Sequence, residues 1–501
     1  MDDPTLPPLI LALLSPQAYA HPAPRVELVQ THISWVLLAG DFAYKIKKPV
    51  KLPFLDFSTL AQRHHFCQEE LRLNRRFAPD LYLDVVGIFN TPQAPRFGDD
   101  GAPFEYAVKM RRFDESARLD RVCARGELRP AHLSALAQTL CDFHATAAVA
   151  PADSRLGSPA QVMAPVRDNF SGLQTLLPGG DTPARLAALQ RWSEAQFEQL
   201  QPQMAARQRS GHVRECHGDL HLANLVLLGD EVRLFDCLEF DEALRWIDVA
   251  SETAFPYVDL LAHDQPGLAH WFVNEVWSRN GDYEAAALLR FYAVYRAMVR
   301  AKVAAIRASQ TQADATQALA YLALAERLAA PATPRLTITH GLSGCGKTYL
   351  SDRLLLSDAA GPVLRLRSDV ERKRLFGLDA AARSGSATDQ GIYAASAHER
   401  TYARLHELAA GLLRAGWSVI VDATFLKRAD RARFHALAQQ LGLAFVILAP
   451  QASPAQLRER ILARRAQGRD ASEATLEVLA RQMQAIEPLT QAEQACVSGS
   501  D

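Results

Sequence analysis

The sequence has no run of about 18 apolar residues, so it predicts no transmembrane helix. It carries little net charge, -1 over 501 residues, which argues against a chain built as a whole to coat nucleic acid or anionic lipid. Its seven cysteines are widely spaced and include no CxxC pair, so neither a disulfide framework nor a zinc site is expected. Residues 6–20 end in Ala-Tyr-Ala like a secretory signal, but an acidic start and three prolines predict ordinary mature sequence. We therefore expect a cytoplasmic globular protein.

What the sequence does contain is enough apolar material for more than one domain. Hydrophobic residues make up 49% of the chain, and 501 residues exceed what one core usually organises. Strand-like segments dominate up to residue 113 and helix-forming segments follow up to residue 329, so a small β-rich lobe should precede a helical lobe. Proline then interrupts the helical pattern at 331 and 334. We predict a first domain over residues 1–330, a linker at 331–334 and a second domain over residues 335–501.

The pattern changes class after this linker, where predicted strands alternate with predicted helices. The strands are expected at 336–340, 363–367, 418–421 and 445–448. Such alternation predicts a parallel sheet covered on both faces. The same stretch holds 22 Lys and Arg against 17 Asp and Glu. This excess suits an anionic ligand such as a nucleotide, although a solvated helical surface would show the same balance.

Residues 341–348, Gly-Leu-Ser-Gly-Cys-Gly-Lys-Thr, match the pattern G-x-x-x-x-G-K-[ST] between a predicted strand and a predicted helix. Glycine lets such a loop turn tightly and point its backbone N–H groups at phosphate oxygens. Lys347 would neutralise the β- and γ-phosphates of ATP, and Thr348 would ligate Mg²⁺. The loop residues predicted to bind ATP are Gly341, Ser343, Gly344, Cys345, Gly346, Lys347 and Thr348.

Two acids follow predicted strands of this second domain. Asp422 ends an apolar strand, where a carboxylate would hold Mg²⁺ or its waters, and helix capping is the competing interpretation. Asp369 opens the segment Asp369-Val-Glu-Arg372, in which the domain resembles the zeta-toxin, polynucleotide-kinase and gluconate-kinase group of P-loop kinases. The resemblance implies that Asp369 is the general base for an acceptor hydroxyl and that Arg372 contacts the acceptor. A helix N-cap is the alternative role for Asp369.

Arginines near the end of the second domain extend this resemblance. Arg464, Arg465 and Arg469 resemble the lid arginines of the same kinases, which implies that they close over the transferred phosphoryl group. An exposed basic helix end explains them almost as well, because cations favour helix C-termini.

The most informative string of the first domain is His217-Gly-Asp219-Leu-His-Leu-Ala-Asn224, followed by Asp236. It resembles the catalytic loop and the metal-binding aspartate of the aminoglycoside-phosphotransferase and choline-kinase family, distant relatives of the protein kinases. The resemblance implies that Asp219 is the catalytic base and that Asn224 and Asp236 ligate Mg²⁺. His217 is expected to orient the loop, and Asp248 to support it, without a catalytic role.

The strand Phe42–Lys47, predicted to form a hairpin with residues 26–38, carries the candidate nucleotide lysine. Lys45 is preferred because it follows an apolar-Tyr pair as the family's lysine follows its strand. Lys47 stays open, since residues two apart share one face of a strand. On the next helix Glu70 is preferred over Glu69 as the partner of this lysine. No G-x-G-x-x-G loop precedes the strand, which disfavours an ordinary protein kinase.

The resulting fold prediction is an α+β protein-kinase-like bilobal domain followed by an α/β P-loop domain with a parallel sheet. The predicted function is a bifunctional phosphotransferase that uses ATP and Mg²⁺ to phosphorylate hydroxyl groups of small-molecule or nucleotide acceptors. No membrane partner is expected, and a nucleic-acid acceptor is disfavoured but open for the second domain. The alternatives are a kinase-like domain regulated by a C-terminal P-loop ATPase and a nucleotide-binding scaffold.

Overall fold

The computed structural model describes residues 6–52, 55–98, 101–357, 361–380, 382, 392, 394–467 and 472–498. The chain packs into two compact units. The first comprises Met1–Asp168 with Phe197–Asp259, and the second comprises Asn169–Gln196 with Leu260–Asp501. Helices that precede residues 331–334 therefore pack with the C-terminal part of the chain. Whether 331–334 separates two independently folding domains stays a prediction.

The first unit opens with a β-rich lobe. Its elements are α1 (Pro8–Leu13), β1 (Val26–Gln30), β2 (Ser34–Ala39), β3 (Phe42–Lys47), β4 (Lys51–Leu52), β5 (Leu55–Asp56), α2 (Leu60–Asn74), β6 (Tyr82–Thr91), β7 (Ala94–Gly98) and β8 (Glu105–Arg111). Among the described residues, six strands form one antiparallel sheet in the order β1-β2-β3-β8-β6-β7. Helix α1 packs on this sheet and buries Ile10 and Leu13 completely.

The predicted hairpin of residues 26–38 with β3 is wrong in one respect, because residues 26–38 form two strands. Thr31 turns the chain between them. Its hydroxyl oxygen accepts a hydrogen bond from the Ser34 backbone at 2.9 Å, and its own N–H donates to Ser34 O at 2.9 Å. A threonine hydroxyl that bonds to nearby backbone in this way competes with a continuous strand.

The remaining elements of this part of the chain are mostly helical. They are α3 (Leu119–Ala124), α4 (Pro130–Thr146), α5 (Pro159–Leu176), α6 (Thr182–Arg209), β9 (Val213–Glu215), β10 (Leu225–Leu228), β11 (Glu231–Leu234), α7 (Glu242–Arg245), β12 (Trp246–Asp248) and α8 (Val249–Ala262). Strand β9 pairs with β12, and β10 pairs with β11. The segment 216–224 therefore connects β9 of one small sheet to β10 of the other, so both of its ends are held by strand pairing.

The second unit contains a parallel sheet, as predicted. Its further elements are α9 (Pro266–Asn280), α10 (Ala286–Thr311), α11 (Thr316–Ala329), β13 (Arg335–Thr339), α12 (Lys347–Leu355), β14 (Val363–Arg367), α13 (Ser368–Leu375), α14 (Ala395–Arg414), β15 (Ser418–Asp422), α15 (Arg428–Gln440), β16 (Ala444–Leu448), α16 (Pro454–Gln467), α17 (Leu476–Ala485) and α18 (Gln491–Gln494). The strand order is β14-β15-β13-β16, and every pairing is parallel. None of the described helices has the length and hydropathy needed to cross a bilayer.

Helix α9 packs against the β14 edge of this sheet, and the first residue of α10 contacts Trp417, just before β15. The Arg365 backbone N–H of β14 donates to Asn274 Oδ1 at 2.7 Å. Trp417 donates from its indole N–H to Ala286 O at 3.0 Å, and its ring meets Trp277 edge to face at 5.6 Å between centroids. An edge strand leaves backbone groups unpaired, and here a helix side chain satisfies one of them. These contacts explain why both helices belong to the second unit.

Candidate functional sites

A buried network of ion pairs occupies the first candidate site. Lys45 Nζ donates to Glu70 Oε1 at 2.8 Å and to Asp236 Oδ1 at 2.5 Å. Lys47 Nζ donates to Glu70 Oε2 at 2.7 Å and also contacts Glu239. The side chains of Lys47 and Glu70 are fully buried, whereas that of Asp236 is 43% exposed. The network therefore links the core to an accessible carboxylate.

This geometry separates the alternatives that the sequence left open. Of the two lysines, Lys45 reaches Asp236 and Lys47 does not, although both contact Glu70. Glu69 instead pairs with Arg72 at 2.9 Å on the outer side of α2. Glu239, which no sequence motif singled out, completes the network by pairing with Lys47. Its position three residues after Asp236 carried no recognisable spacing signal.

Neighbouring opposite charges hold Lys45 and Glu70 in their ionised forms. Burial lowers the pKa of Lys45, but the carboxylates of Asp236 and Glu70 outweigh burial and raise it well above its ordinary value. Burial raises the pKa of Glu70, but Lys45 and Lys47 outweigh burial and hold it below its ordinary value. An ion pair in a low-dielectric core interacts strongly, so a positive charge stays beside Asp236.

The loop 217–224 is fixed by its backbone and by His217. The His217 backbone N–H donates to Glu252 Oε1 at 2.9 Å, and His217 Nε2 donates to Phe235 O at 2.8 Å. His217 Nδ1 then accepts from the Asp219 N–H at 3.3 Å. Burial lowers the pKa of His217, which favours the neutral ring that these contacts require. His217 therefore orients the loop, as its position before Gly218 suggested.

The three polar residues of this loop and the following strand end lie close together. Asn224 Nδ2 donates to Asp219 O at 2.9 Å, and it lies 3.5 Å from Asp219 Oδ2. Asp236 adopts a left-handed backbone with φ 62°, a conformation that non-glycine residues rarely take and that often marks functional sites. Its N–H donates to the Tyr82 hydroxyl at 2.9 Å. Asp248 forms a buried ion pair with Arg207 at 2.7 Å.

The second candidate site is a cavity of about 480 Å³ in the second unit. It is lined by the loop 343–348, the start of α13, the loop after β15, and parts of α16 and α17. The loop depends on glycine backbone geometry. Gly344 has φ 87°, and a Cβ atom there would lie 2.9 Å from Leu457 O. Gly341 has φ 142°, and a Cβ atom there would lie 2.8 Å from Cys345 Sγ.

The predicted magnesium ligands of this cavity meet directly. Thr348 Oγ1 donates to Asp422 Oδ2 at 2.9 Å. Lys347 Nζ donates to Gly341 O at 3.0 Å and to Leu342 O at 2.7 Å, so the lysine folds back over its own loop. Gly346 is the N-cap residue of α12, which places the positive end of that helix at the loop.

The predicted acceptor and lid residues also line the cavity, where the structure describes them. Asp369 Oδ1 accepts from Arg372 Nη1 at 3.0 Å. Arg464 is a cavity residue whose Nε and Nη2 are buried and have no hydrogen-bond partner among the described residues. The side chain of Arg465 and all of Arg469 lie outside the described residues. Buried donors without partners are rare, so the open donors of Arg464 suit an anionic ligand.

Several cavity residues escaped the sequence analysis. Gln482 of α17 accepts a hydrogen bond from the Ser343 N–H at 2.8 Å, and Arg460 donates to Gly344 O at 3.3 Å. His398 and Asp430 pair at 3.1 Å across two helices. No local motif marks these residues, because helices far apart in sequence bring them to the loop.

Comparison with known proteins agrees with this two-part organisation. Residues 62–263 match the phosphotransferase enzyme family, and residues 336–489 match an AAA domain family. A Mycobacterium tuberculosis protein named uncharacterized protein Rv2004c is 31% identical over 460 residues, which cover 90% of each chain. A Mycobacterium bovis protein named uncharacterized protein Mb2027c matches equally. The chain belongs to the family of these mycobacterial proteins.

Solved structures match each part separately. A choline/ethanolamine kinase family protein from Mesorhizobium loti aligns with 64% of this chain and 92% of its own at 12% identity, with a TM-score of 0.40. A gluconokinase from Sinorhizobium meliloti aligns with 33% of this chain and 81% of its own at 22% identity, with a TM-score of 0.23. The two family matches confirm the predicted fusion of a kinase-like phosphotransferase domain with a P-loop domain. Domains of these two kinds indicate phosphoryl transfer as the class of chemistry.

Proposed function

We propose that this protein is a bifunctional phosphotransferase that uses ATP and Mg²⁺ at two separate sites to phosphorylate hydroxyl groups of small-molecule acceptors. One observation carries the proposal for the first site. Lys45 contacts Glu70 and Asp236 at once, although 191 residues separate Lys45 from Asp236. Kinases need a lysine held by a glutamate beside a metal-binding aspartate, and a merely structural ion pair needs no accessible third carboxylate.

At the first site each polar group has a distinct role. Lys45, held by Glu70, would bind phosphate oxygens of ATP. Asn224 and Asp236 would hold Mg²⁺, which when bound neutralises charge on the phosphates. Asp219, 38% exposed, would orient the acceptor hydroxyl and receive its proton. The roles of all five residues extend the sequence resemblance and are supported by their proximity.

At the second site the described side chains fit a nucleoside triphosphate. Nε and Nη2 of Arg464, which bond to no described residue, would donate to phosphate oxygens, and Lys347 would turn from its own loop to the β- and γ-phosphates. Thr348 and Asp422, already in contact, would hold the metal ion. Asp369 and Arg372 would meet the acceptor. A basic, glycine-lined loop at a helix N-terminus is suited to this anion.

The proposal is tested by detecting phosphorylated products after the purified protein is incubated with ATP, Mg²⁺ and a metabolite extract. Mass spectrometry should show two sets of products. Asp219→Asn should abolish one set and Lys347→Ala the other. A single set that either substitution abolishes would contradict two independent sites, and no product at all would contradict the proposal.

A second candidate function is regulation of the kinase-like site by nucleotide turnover at the P-loop. Contacts of α13 favour it, because Tyr283 donates from its hydroxyl to Glu371 at 3.2 Å and Arg374 donates to Ser278 O at 2.5 Å. The helix that carries Asp369 thus contacts chain segments that precede residues 331–334. If the P-loop domain is regulatory, Asp369→Ala would leave nucleotide turnover unchanged, and both sets of phosphorylated products would still form.

A further inference from the structure

A histidine and an aspartate form a pair inside the P-loop cavity. His398 lies in the first turns of α14 and Asp430 in the first turn of α15, and both line the cavity together with Asp369 and Lys347. His398 Nε2 lies 3.1 Å from Asp430 Oδ2. The side chains are 35% and 19% exposed, so the pair is accessible and yet partly withdrawn from solvent.

The position of His398 is tied to the phosphate loop through a chain of contacts. Its ring stacks on Tyr402 at 4.3 Å between centroids, and the Tyr402 hydroxyl accepts from the Phe425 N–H at 3.2 Å. Phe425 is fully buried and has φ 46°, a strained backbone for an aromatic residue. The preceding residue, Thr424, accepts through its carbonyl from the Gly341 N–H at 3.0 Å. Strain of this kind persists where surrounding structure enforces it, often beside an active site.

The pairing with Asp430 also fixes the proton of the imidazole. A neutral ring that donates from Nε2 to a carboxylate keeps a lone pair on Nδ1. Within the part of the chain that the structure describes, no protein group bonds to His398 Nδ1. Nδ1 is therefore the ring nitrogen available to a ligand, and Asp430 would stabilise the imidazolium formed when Nδ1 takes a proton.

Asp369, which the sequence resemblance implies is the general base, differs from His398 in its hydrogen bonding. One carboxylate oxygen of Asp369 already accepts from Arg372. We propose that His398, held by Asp430, accepts the proton of the acceptor hydroxyl at the P-loop site, while Asp369 and Arg372 orient the acceptor. This inference rests on the proposed kinase function of that site, and it adds a catalytic pair to it.

The proposed step balances in protons and electrons. The acceptor oxygen forms a bond to the γ-phosphorus of ATP as its proton passes to His398 Nδ1. The bond between the γ-phosphorus and the β–γ bridging oxygen breaks, and ADP leaves with that electron pair. His398 afterwards returns the proton to water, which restores the neutral ring.

The test uses the full-length protein, Mg²⁺, ATP and the metabolite extract, and it follows the products that Lys347→Ala abolishes. His398→Ala should slow their formation roughly 10²–10⁴-fold, the usual contribution of a general base. Added imidazole should restore part of the rate, which a merely structural role would not allow. Asp430→Asn should also slow the reaction. His406→Ala, on the same helix but outside the cavity lining, should have no effect.

Binding of a non-hydrolysable ATP analogue should be unchanged in the His398 variants. Should His398→Ala fail to fold, His398→Gln preserves most of the side-chain volume and should be equally slow. A wild-type rate in His398→Gln, or a slow His398→Ala that imidazole does not rescue, would overturn the inference and leave the proposed function standing. Absence of any Lys347-dependent product from the wild-type protein would overturn both.

Discussion

The two candidate sites hold their charges in opposite ways. At the first site the lysines lie in the core and are neutralised by acids of the protein itself, with Glu70 shared between Lys45 and Lys47. At the second site a glycine loop shapes a cavity, and two buried donors of Arg464 bond to none of the residues that the structure describes. The side chains of the first site are held by one another, whereas the proposed anionic ligand would supply partners for the open donors of Arg464 at the second. Substitutions should therefore affect stability at the first site and binding at the second.

The largest effect is expected from the acid of the first site. Asp219→Asn should lower transfer at that site roughly 10²–10⁴-fold, because an amide cannot accept the acceptor proton. Rates of the Lys347-dependent products should not change. Asp230→Asn is the matched control, since Asp230 lies in an exposed turn with its side chain 96% accessible. Equal losses in both product sets would show that the two sites are not independent.

Removal of the shared glutamate should destabilise the first unit. Glu70→Ala leaves two buried lysines without this partner and should lower the free energy of unfolding by about 3–5 kcal/mol. Glu69→Ala removes a partly exposed pair with Arg72 and a longer one with Arg245 at 3.7 Å, and should cost about 1 kcal/mol or less. Urea denaturation of both variants measures the difference. Similar losses for the two substitutions would refute the contrast between a buried network and a surface pair.

At the second site Arg464 should matter for binding and little for stability. Arg464→Ala should weaken binding of an ATP analogue by about 1.5–3 kcal/mol, the usual value of hydrogen bonds to charged groups. Arg458→Ala, an exposed residue of the same helix outside the cavity lining, should leave affinity unchanged. Calorimetric titration of both variants with the ATP analogue tests whether Arg464 contacts the ligand or is only a cation at the helix end. An unaltered affinity in Arg464→Ala would favour the exposed helix end.

A further expected effect is a dependence of the free energy of unfolding on acid pH, caused by Glu70 at the first site. Lys45 and Lys47 overcome burial and hold the pKa of Glu70 at about 2 in the folded protein. The unfolded value is roughly 4.3, so ionised Glu70 stabilises the fold above that pH, and stability is lost as the pH falls toward 2. Burial raises the pKa of Glu239, so its contribution to stability has the opposite sign, and comparison with a Glu70 variant isolates the contribution of Glu70.

Unfolding free energies of the wild-type protein and Glu70→Gln should accordingly converge as the pH falls from about 4.3 toward 2. Parallel curves for the two proteins across that window would show that Glu70 is not held in its ionised form.

Local strings in the sequence predicted much of this arrangement. The loop 341–348 and the segment 217–224 carry their chemistry within eight residues, so both could be recognised from local sequence, and the loop 341–348 could also be placed after its strand. The choice between Lys45 and Lys47 could not, because both share one strand face and only the contact with Asp236 separates them. The turn at Thr31 and strand β7 were not predicted, because individual hydrogen bonds to neighbouring residues form them and no sequence pattern marks those bonds.

Contacts between distant helices set a second limit on sequence-based prediction. His398 and Asp430 are 32 residues apart and meet only when α14 and α15 pack. The role of α9 in covering the edge of β14 depends on Asn274, a residue 91 positions from its partner. Neither pair has a fixed sequence spacing by which a motif could identify it. The alternation of strand-like and helix-like segments, in contrast, was enough to predict the parallel sheet.

The number of nucleotide sites tests the central claim most directly. Calorimetric titration of the full-length protein with a non-hydrolysable ATP analogue and Mg²⁺ should give two binding events per chain. Lys347→Ala should remove one event and Lys45→Met the other. A single event in the wild-type protein, or one that disappears in both variants, would contradict an account built on two separate phosphotransferase sites.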